Sequence, residues 1–316
     1  TAVGYRALYA NILGHSNTGV GYSSLTANIE GAENTAIGTR SLYSNNYGSS
    51  NTANGYNALY SNTGGSYNTA IGPSSLFTNS TGTKNIAIGV GALFTNTTGS
   101  ANIAVGTGAL GLNFNGRSGL VAIGDSAMYN NAKTVSLSYT ATENTAVGYR
   151  AMYANTEGYY NTAVGYRSLS ANTFGYYNTA LGDRSLQGNT TGTRNTAVGY
   201  ISLSANSTGF NNTAVGIGTL YLNSTGSNNT AVGTETLLDN TTGTNNVAVG
   251  AGSLADNTTG SANVAVGVGT AAKSTDKSDI IAIGDSALYN NTAGTGNMAL
   301  GSKTLYTLTS GVQNTS

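Results

Sequence analysis

The sequence predicts an all-β fold, a parallel β-solenoid of about 18 coils, each of about 17 residues. Three observations carry that expectation. Glycine returns at every seventeenth position at Gly4, Gly21, Gly38, Gly55, Gly72, Gly89 and Gly106, and again from Gly148 to Gly301, with Gly124 between the two runs. Each anchor glycine follows a short tract close to Asn-Thr-Ala-Val, and each is followed by a turn close to Asn-Thr-Thr-Gly. No copy leaves room for a helix of useful length, since an isolated apolar run becomes a credible helix only at about ten residues or more. A fixed period of this size is the signature of a stacked repeat array, which has no single compact core.

With the anchor glycine as position zero, position −1 is Val, Ile or Leu in 17 of 18 copies, with Asn54 the exception. Position −2 is Ala in 17 of 18, with Gly19 the exception, and position +4 is Leu or Met in all but Ala271. Asn fills +7 and Gly fills +10 in 16 of 18 copies each, and Asn fills −4 in 15 of the 17 copies that have it. The β-branched T-A-V-G tract reads as a strand. Alternation puts Thr (−3) and Val (−1) on one face, expected to be the core side, and Asn (−4) and Ala (−2) on the other. A second extended piece is expected around +3 to +5. The Asn-[Ser/Thr]-Thr-Gly tract reads as a turn in which Asn bonds its own backbone and Gly supplies positive φ.

Stacking such coils sets identical residues above one another at about 4.8 Å, so 18 coils would make a rod of roughly 85 Å. Asn then stacks on Asn, and amide ladders along the stack satisfy each other. The expected structural ladder comprises Asn28, Asn45, Asn62, Asn79, Asn96, Asn155, Asn172, Asn206, Asn223 and Asn240. The interior of one coil is thin against the entropy of ordering its whole backbone. Both faces of the strand carry small or apolar side chains, which predicts burial on both sides. Several chains packed around a common axis would supply it.

The array reads as one continuous domain over 1–316. It is interrupted by an irregular coil and a loop insertion around 112–143, and by an irregular turn around 272–280. The insertion, Lys133–Glu143, is expected to leave the rod as a loop. The tract Val121–Asn131 nearly repeats as Ile281–Asn291, which suggests duplication of a multi-coil block. Both termini cut the pattern in register, as an internal stretch of a longer array would.

Charged residues are 8% of the chain and 12 basic residues balance 12 acidic ones, so neither nucleic acid nor an anionic membrane is an expected partner. No apolar stretch is long enough to span a bilayer. Cysteine is absent, which excludes disulfides and metal–thiolate sites. His15 is the only histidine, so no His-based triad or metal cluster can form. Asp125, Asp183 and Asp285 share position +1 but lie too far apart to pair. The Gly-x-Gly fragments, such as Gly89-Val90-Gly91, lack the following helix and Lys of a phosphate loop. No catalytic residue, metal site or cofactor is expected.

Tyrosine is the one enriched aromatic, 21 residues against no Trp. It favours +5 (among others Tyr43, Tyr60, Tyr129, Tyr153 and Tyr289) and +1, where Tyr5, Tyr22, Tyr56, Tyr149, Tyr166 and Tyr200 form a candidate packing or surface stripe. A ladder that packs neighbouring chains is the plainer reading, and a sugar-binding or adhesive stripe the sharper one. Triplets such as Asn79-Ser80-Thr81, Asn96-Thr97-Thr98 and Asn257-Thr258-Thr259 match the N-glycosylation acceptor pattern, but the turn itself accounts for them.

The unit N-T-A-V-G-Y-x-A-L resembles the S-V-A-I-G-x-x-A repeat of trimeric autotransporter adhesin heads, and similar arrays occur in bacteriophage tail fibres. The likeness spans nearly the whole chain. It implies a β-roll and a homotrimer forming a stiff head or stalk. The period of seventeen is longer than that family's, and Thr stands at −3 in place of an apolar residue. The expected function is a non-enzymatic structural fibre, extracellular on a cell surface or virion, acting as a rigid spacer or adhesin. Its partner would be its own kind. The alternative is a module whose flank recognises a glycan or surface. Ice binding is the third class, set back here because alternation places Thr with the core Val.

Overall fold

The computed structural model describes residues 1–114, 116–131 and 141–316. Two compact units divide the chain, Thr1–Tyr160 and Asn161–Ser316. The first carries nine strands: β1 (Ala2–Val3), β2 (Thr18–Val20), β3 (Thr35–Ile37), β4 (Thr52–Asn54), β5 (Thr69–Ile71), β6 (Ile86–Ile88), β7 (Ile103–Val105), β8 (Val121–Ile123) and β9 (Thr145–Val147). The second carries β10 (Thr162–Val164), β11 (Thr179–Leu181), β12 (Thr196–Val198), β13 (Thr213–Val215), β14 (Thr230–Val232), β15 (Val247–Val249), β16 (Val264–Val266), β17 (Ile281–Ile283) and β18 (Met298–Leu300). Within each unit every strand pairs in parallel with the next, equivalent position on equivalent position, as in Thr162↔Thr179 and Ala163↔Ala180. Each unit is therefore a parallel β-solenoid with one short strand per coil, and the described residues contain no helix.

The strand alternates as expected, but its faces are reversed. Ala at −2 is buried, while the −3 and −1 side chains stand at the surface, as in β14, where Ala231 is buried and Thr230 and Val232 are exposed. The reason is width. A Cβ at Gly19, the one −2 glycine, would stand 3.4 Å from Leu8 Cγ and 3.1 Å from Ser24 Oγ. The inner site opposite the +4 leucine thus takes a methyl group and nothing larger, so the β-branched residue goes outside.

The segment after the anchor glycine is a turn rather than a second extended piece. The anchor adopts φ between 122° and 147°, and a Cβ on Gly21 would stand 2.7 Å from the Gly38 carbonyl carbon. Residues +2 and +4 then both enter the left-handed region, for example Ser23 (φ 56°) and Leu25 (φ 47°). That lets two consecutive residues, Ser24 and Leu25, face inward, and both are fully buried. A left-handed Leu costs about 1–2 kcal/mol, and burying its side chain returns about 1.5–3 kcal/mol.

The +10 glycine also has a different cause from the one expected. Gly31, Gly48 and Gly65 are not in the left-handed region, which falls at +12 instead, as at Glu33 (φ 60°) and Ser50 (φ 56°). They are glycine because a side chain has no room: a Cβ on Gly48 would stand 2.5 Å from Asn45 Oδ1 and 2.6 Å from Asn62 Nδ2.

Two irregular places keep the hydrogen bonding of the regular turn. Asn102 donates to the Arg117 carbonyl (2.8 Å), and Asn263 donates to the Lys277 carbonyl (2.7 Å), each in the role of a +10 glycine. Ile103 pairs with Val121, so the longer step between Gly106 and Gly124 is absorbed outside the strands without loss of register. Of the expected loop Lys133–Glu143, residues 133–140 lie outside the described residues.

Candidate functional site

Two features recur along the array: amide ladders inside the coils and an uncharged face outside them. The +7 asparagines form the first ladder. Asn28, Asn45, Asn62, Asn79 and Asn96 are fully buried. Each Nδ2 donates to the Oδ1 one coil earlier, as in Asn45 to Asn28, Asn62 to Asn45 and Asn79 to Asn62, all at 2.7 Å. Asn155 donates to Asn131 at 2.9 Å. In the second unit Asn189 donates to Asn172, Asn206 to Asn189, Asn223 to Asn206 and Asn240 to Asn223, at 2.7–2.9 Å. The second amide hydrogen bonds the +10 carbonyl of the same turn, as in Asn28 to Gly31 (2.8 Å). Both donors and the acceptor of the amide are thereby used in the dry interior.

A second ladder runs at −4, a position that the sequence marks only as a recurring Asn. Asn34 Oδ1 accepts from both the backbone N–H (3.0 Å) and Nδ2 (3.1 Å) of Asn51, and Asn51 does the same for Asn68. In the second unit, Asn195 and Asn212 repeat the arrangement. The signal is present in the 15 copies with Asn at −4. It does not read as a stack from sequence, because alternation alone does not say which face is dry. Leu120 and Ile280 interrupt this ladder, and both are fully buried. Their backbone N–H groups still donate to Asn102 and Asn263 Oδ1 at 3.0 Å. At Ser274 the +7 ladder breaks, and the buried Asn257 Oδ1 has no hydrogen-bond partner.

The burial of Asn79, Asn96 and Asn257 removes those triplets as accessible glycosylation acceptors.

Outside, positions −3 and −1 carry no charged residue in any of the eighteen strands. Ten strands begin with Thr, and seven, β6–β8 and β15–β18, begin with Ile, Val or Met. The −1 side chains remain substantially exposed, as at Ile37 (41%) and Ile123 (39%). Asn54 is the single polar side chain in that row.

All six +1 tyrosines, Tyr5, Tyr22, Tyr56, Tyr149, Tyr166 and Tyr200, are exposed. Tyr5 and Tyr22 stack at 5.2 Å. The Arg150 guanidinium lies over the rings of Tyr149 and Tyr153, and the Arg167 and Arg184 guanidinium groups approach the Tyr166 ring at 5.5 and 5.7 Å from its centre. At +5, Tyr43, Tyr60, Phe77 and Phe94 form one face-to-face column with centroids 5.1–5.2 Å apart. The rings cover one another's faces within a single chain, leaving edges toward solvent.

His15 sits beside Ser16, and Asp125 accepts from the Thr107 backbone N–H at 2.9 Å. Among the described residues, no group of three or more His, Cys, Asp or Glu side chains is placed to hold a metal ion. No helix of the described residues is long and apolar enough to cross a membrane. No protein-family model matches the chain, and no curated protein matches it.

Proposed function

We propose that the chain is the shaft segment of a homotrimeric structural fibre, a rigid spacer or adhesin displayed outside a cell or on a virion. The observation that carries this reading is the outer Thr-x-Val face, uncharged on every strand and apolar along its −1 row except at Asn54. A contiguous exposed apolar surface marks an interaction site. A second copy is the partner that fits, because its rows repeat at the same strand spacing and neither surface brings a charge to be buried. The buried amide ladders support a mechanical role, since they stiffen each coil through its neighbours. The resemblance of N-T-A-V-G to the adhesin and tail-fibre repeat points the same way. Cross-sections imaged by electron cryomicroscopy test the reading: three coils with their Thr-x-Val faces turned to a common axis are expected, and a single coil per cross-section would overturn it.

Ice binding gains support from the same face, because the Thr row points outward and not into the core as expected. A flat, regular Thr array on a rigid sheet is the surface that function needs. Thermal hysteresis in a solution of the purified protein would favour it over the fibre. Stacking of sugars on the +5 aromatic column is less favoured, because those ring faces are already occupied by each other.

A further inference from the structure

We propose that Asn54 sets the axial register of the trimer, three copies meeting as one polar layer in the otherwise aliphatic −1 row. This rests on the fibre reading above and adds to it what aligns the chains.

A repeat rod carries a problem that a globular subunit does not. Its outer face looks nearly the same after a shift of one coil, so chains that associate through that face can slip past one another. The −1 row offers little to prevent this, since it is Val, Ile or Leu in every strand but one. The exception is Asn54 at the end of β4, exposed, with Ile37 and Ile71 as its register partners on the adjoining strands. Its neighbour on the same face, Thr52, continues the ordinary Thr row.

Nothing inside the coil asks for this residue. The amide is not part of either internal ladder, and its side chain points away from the buried Ala53. The outer face is also large enough to dock copies. Nine strands, each about 10 Å long and about 4.8 Å apart, present roughly 400 Å² per unit. Each unit alone thus supplies about half of the roughly 800 Å² that one partner contributes to a standard interface, and both units carry the face.

In register, three Asn54 side chains reach the same level and can donate to and accept from one another. Shifted by one coil, each amide meets Ile37 or Ile71 in its neighbours' −1 rows and loses the matching amides as partners. An unsatisfied buried amide is strongly unfavourable, whereas matched polar groups are nearly neutral. A lone Asn in an apolar seam fixes register in coiled coils by the same physics, at some cost in stability.

The chain has no cysteine, so a single nitroxide can be placed at Glu30→Cys, an exposed turn residue, and interchain distances measured by pulsed electron paramagnetic resonance. The parent protein is expected to give one narrow interchain distance. Asn54→Ile, which only extends the surrounding row, is expected to keep the three-chain mass but add longer distances from slipped chains. The double variant Asn54→Ile with Ile71→Asn, which moves the polar layer by one coil, is expected to restore the single distance. An Asn54→Ile protein with the parent's single distance would overturn the inference while leaving the trimer intact. A double variant that stays slipped would overturn it as well. A parent protein with no interchain distance would instead overturn the fibre reading on which the inference stands.

Discussion

Asn34 and Asn45 belong to different ladders, yet both donate to one atom, the carbonyl oxygen of Gly48, each at 2.8 Å. The same convergence recurs in the second unit, where Asn195 and Asn206 both donate to Gly209 at 2.8 and 3.0 Å. The +10 glycine is therefore the point at which the two polar columns of a coil are tied together. Its missing side chain is what lets the amides approach.

Gly65→Ala is expected to be strongly destabilising, by about 3 kcal/mol or more, because its methyl group would meet the Gly82 carbonyl, Asn62 Oδ1 and Asn79 Nδ2 with no flexible group to yield. Gly64→Ala, one residue earlier, faces open space and should be neutral or stabilising by about 0.4–1 kcal/mol. Urea denaturation followed by circular dichroism checks the pair, and equal midpoints would show that the +10 position is not sterically closed.

Ser274→Asn should stabilise the second unit. It restores a donor to the buried Asn257 Oδ1, which has none. A gain of about 1 kcal/mol is expected from a satisfied buried hydrogen bond, read as a rise in the urea midpoint. Asn240→Ser, which creates the same break elsewhere, should lower the midpoint. The opposite order would mean that the ladder contributes nothing.

Asp239 supplies a pH test. Burial first, and then the neighbouring Asp256 carboxylate, raise its carboxyl above the ordinary value. A carboxyl whose folded value is raised costs stability while ionised, and the cost is relieved as pH falls through that folded value. Asp239→Asn should therefore raise Tm near neutral pH. The gain should vanish well below the ordinary Asp value of about 3.9. A gain that persists unchanged in acid would point to a cause other than charge.

Val215→Lys places a charge on the outer face near the middle of β10–β18 without touching the coil interior, since Ala214 alone of that strand is buried. It is expected to leave the circular dichroism spectrum intact and to dissociate the assembly, measured by light scattering after size exclusion. Retention of the parent mass would remove this face from the interface.

The period, the parallel register and the +7 ladder are legible in the sequence, because each is a statement about equal spacing and needs no knowledge of cross-section. Which way the strand faces is not. Alternation separates Ala231 from Thr230 and Val232 but does not name the inner set, and the usual preference for burying Val points the wrong way in a coil too narrow to hold it. The second ladder is hidden by the same ambiguity, since Asn at −4 shares the face of Ala at −2. The left-handed backbone at Leu25 and its equivalents has no sequence signal, for Leu is not a residue that favours that region. Asn54 is visible as an exception to the pattern, but its significance emerges only with the −1 row on the outside.

The mass of the particle in solution, measured by sedimentation equilibrium, tests the trimeric fibre most directly. A single species of three times the 31.8 kDa chain is expected, independent of concentration over the working range. A stable monomer at 31.8 kDa, with the outer Thr-x-Val face left to water, would contradict it.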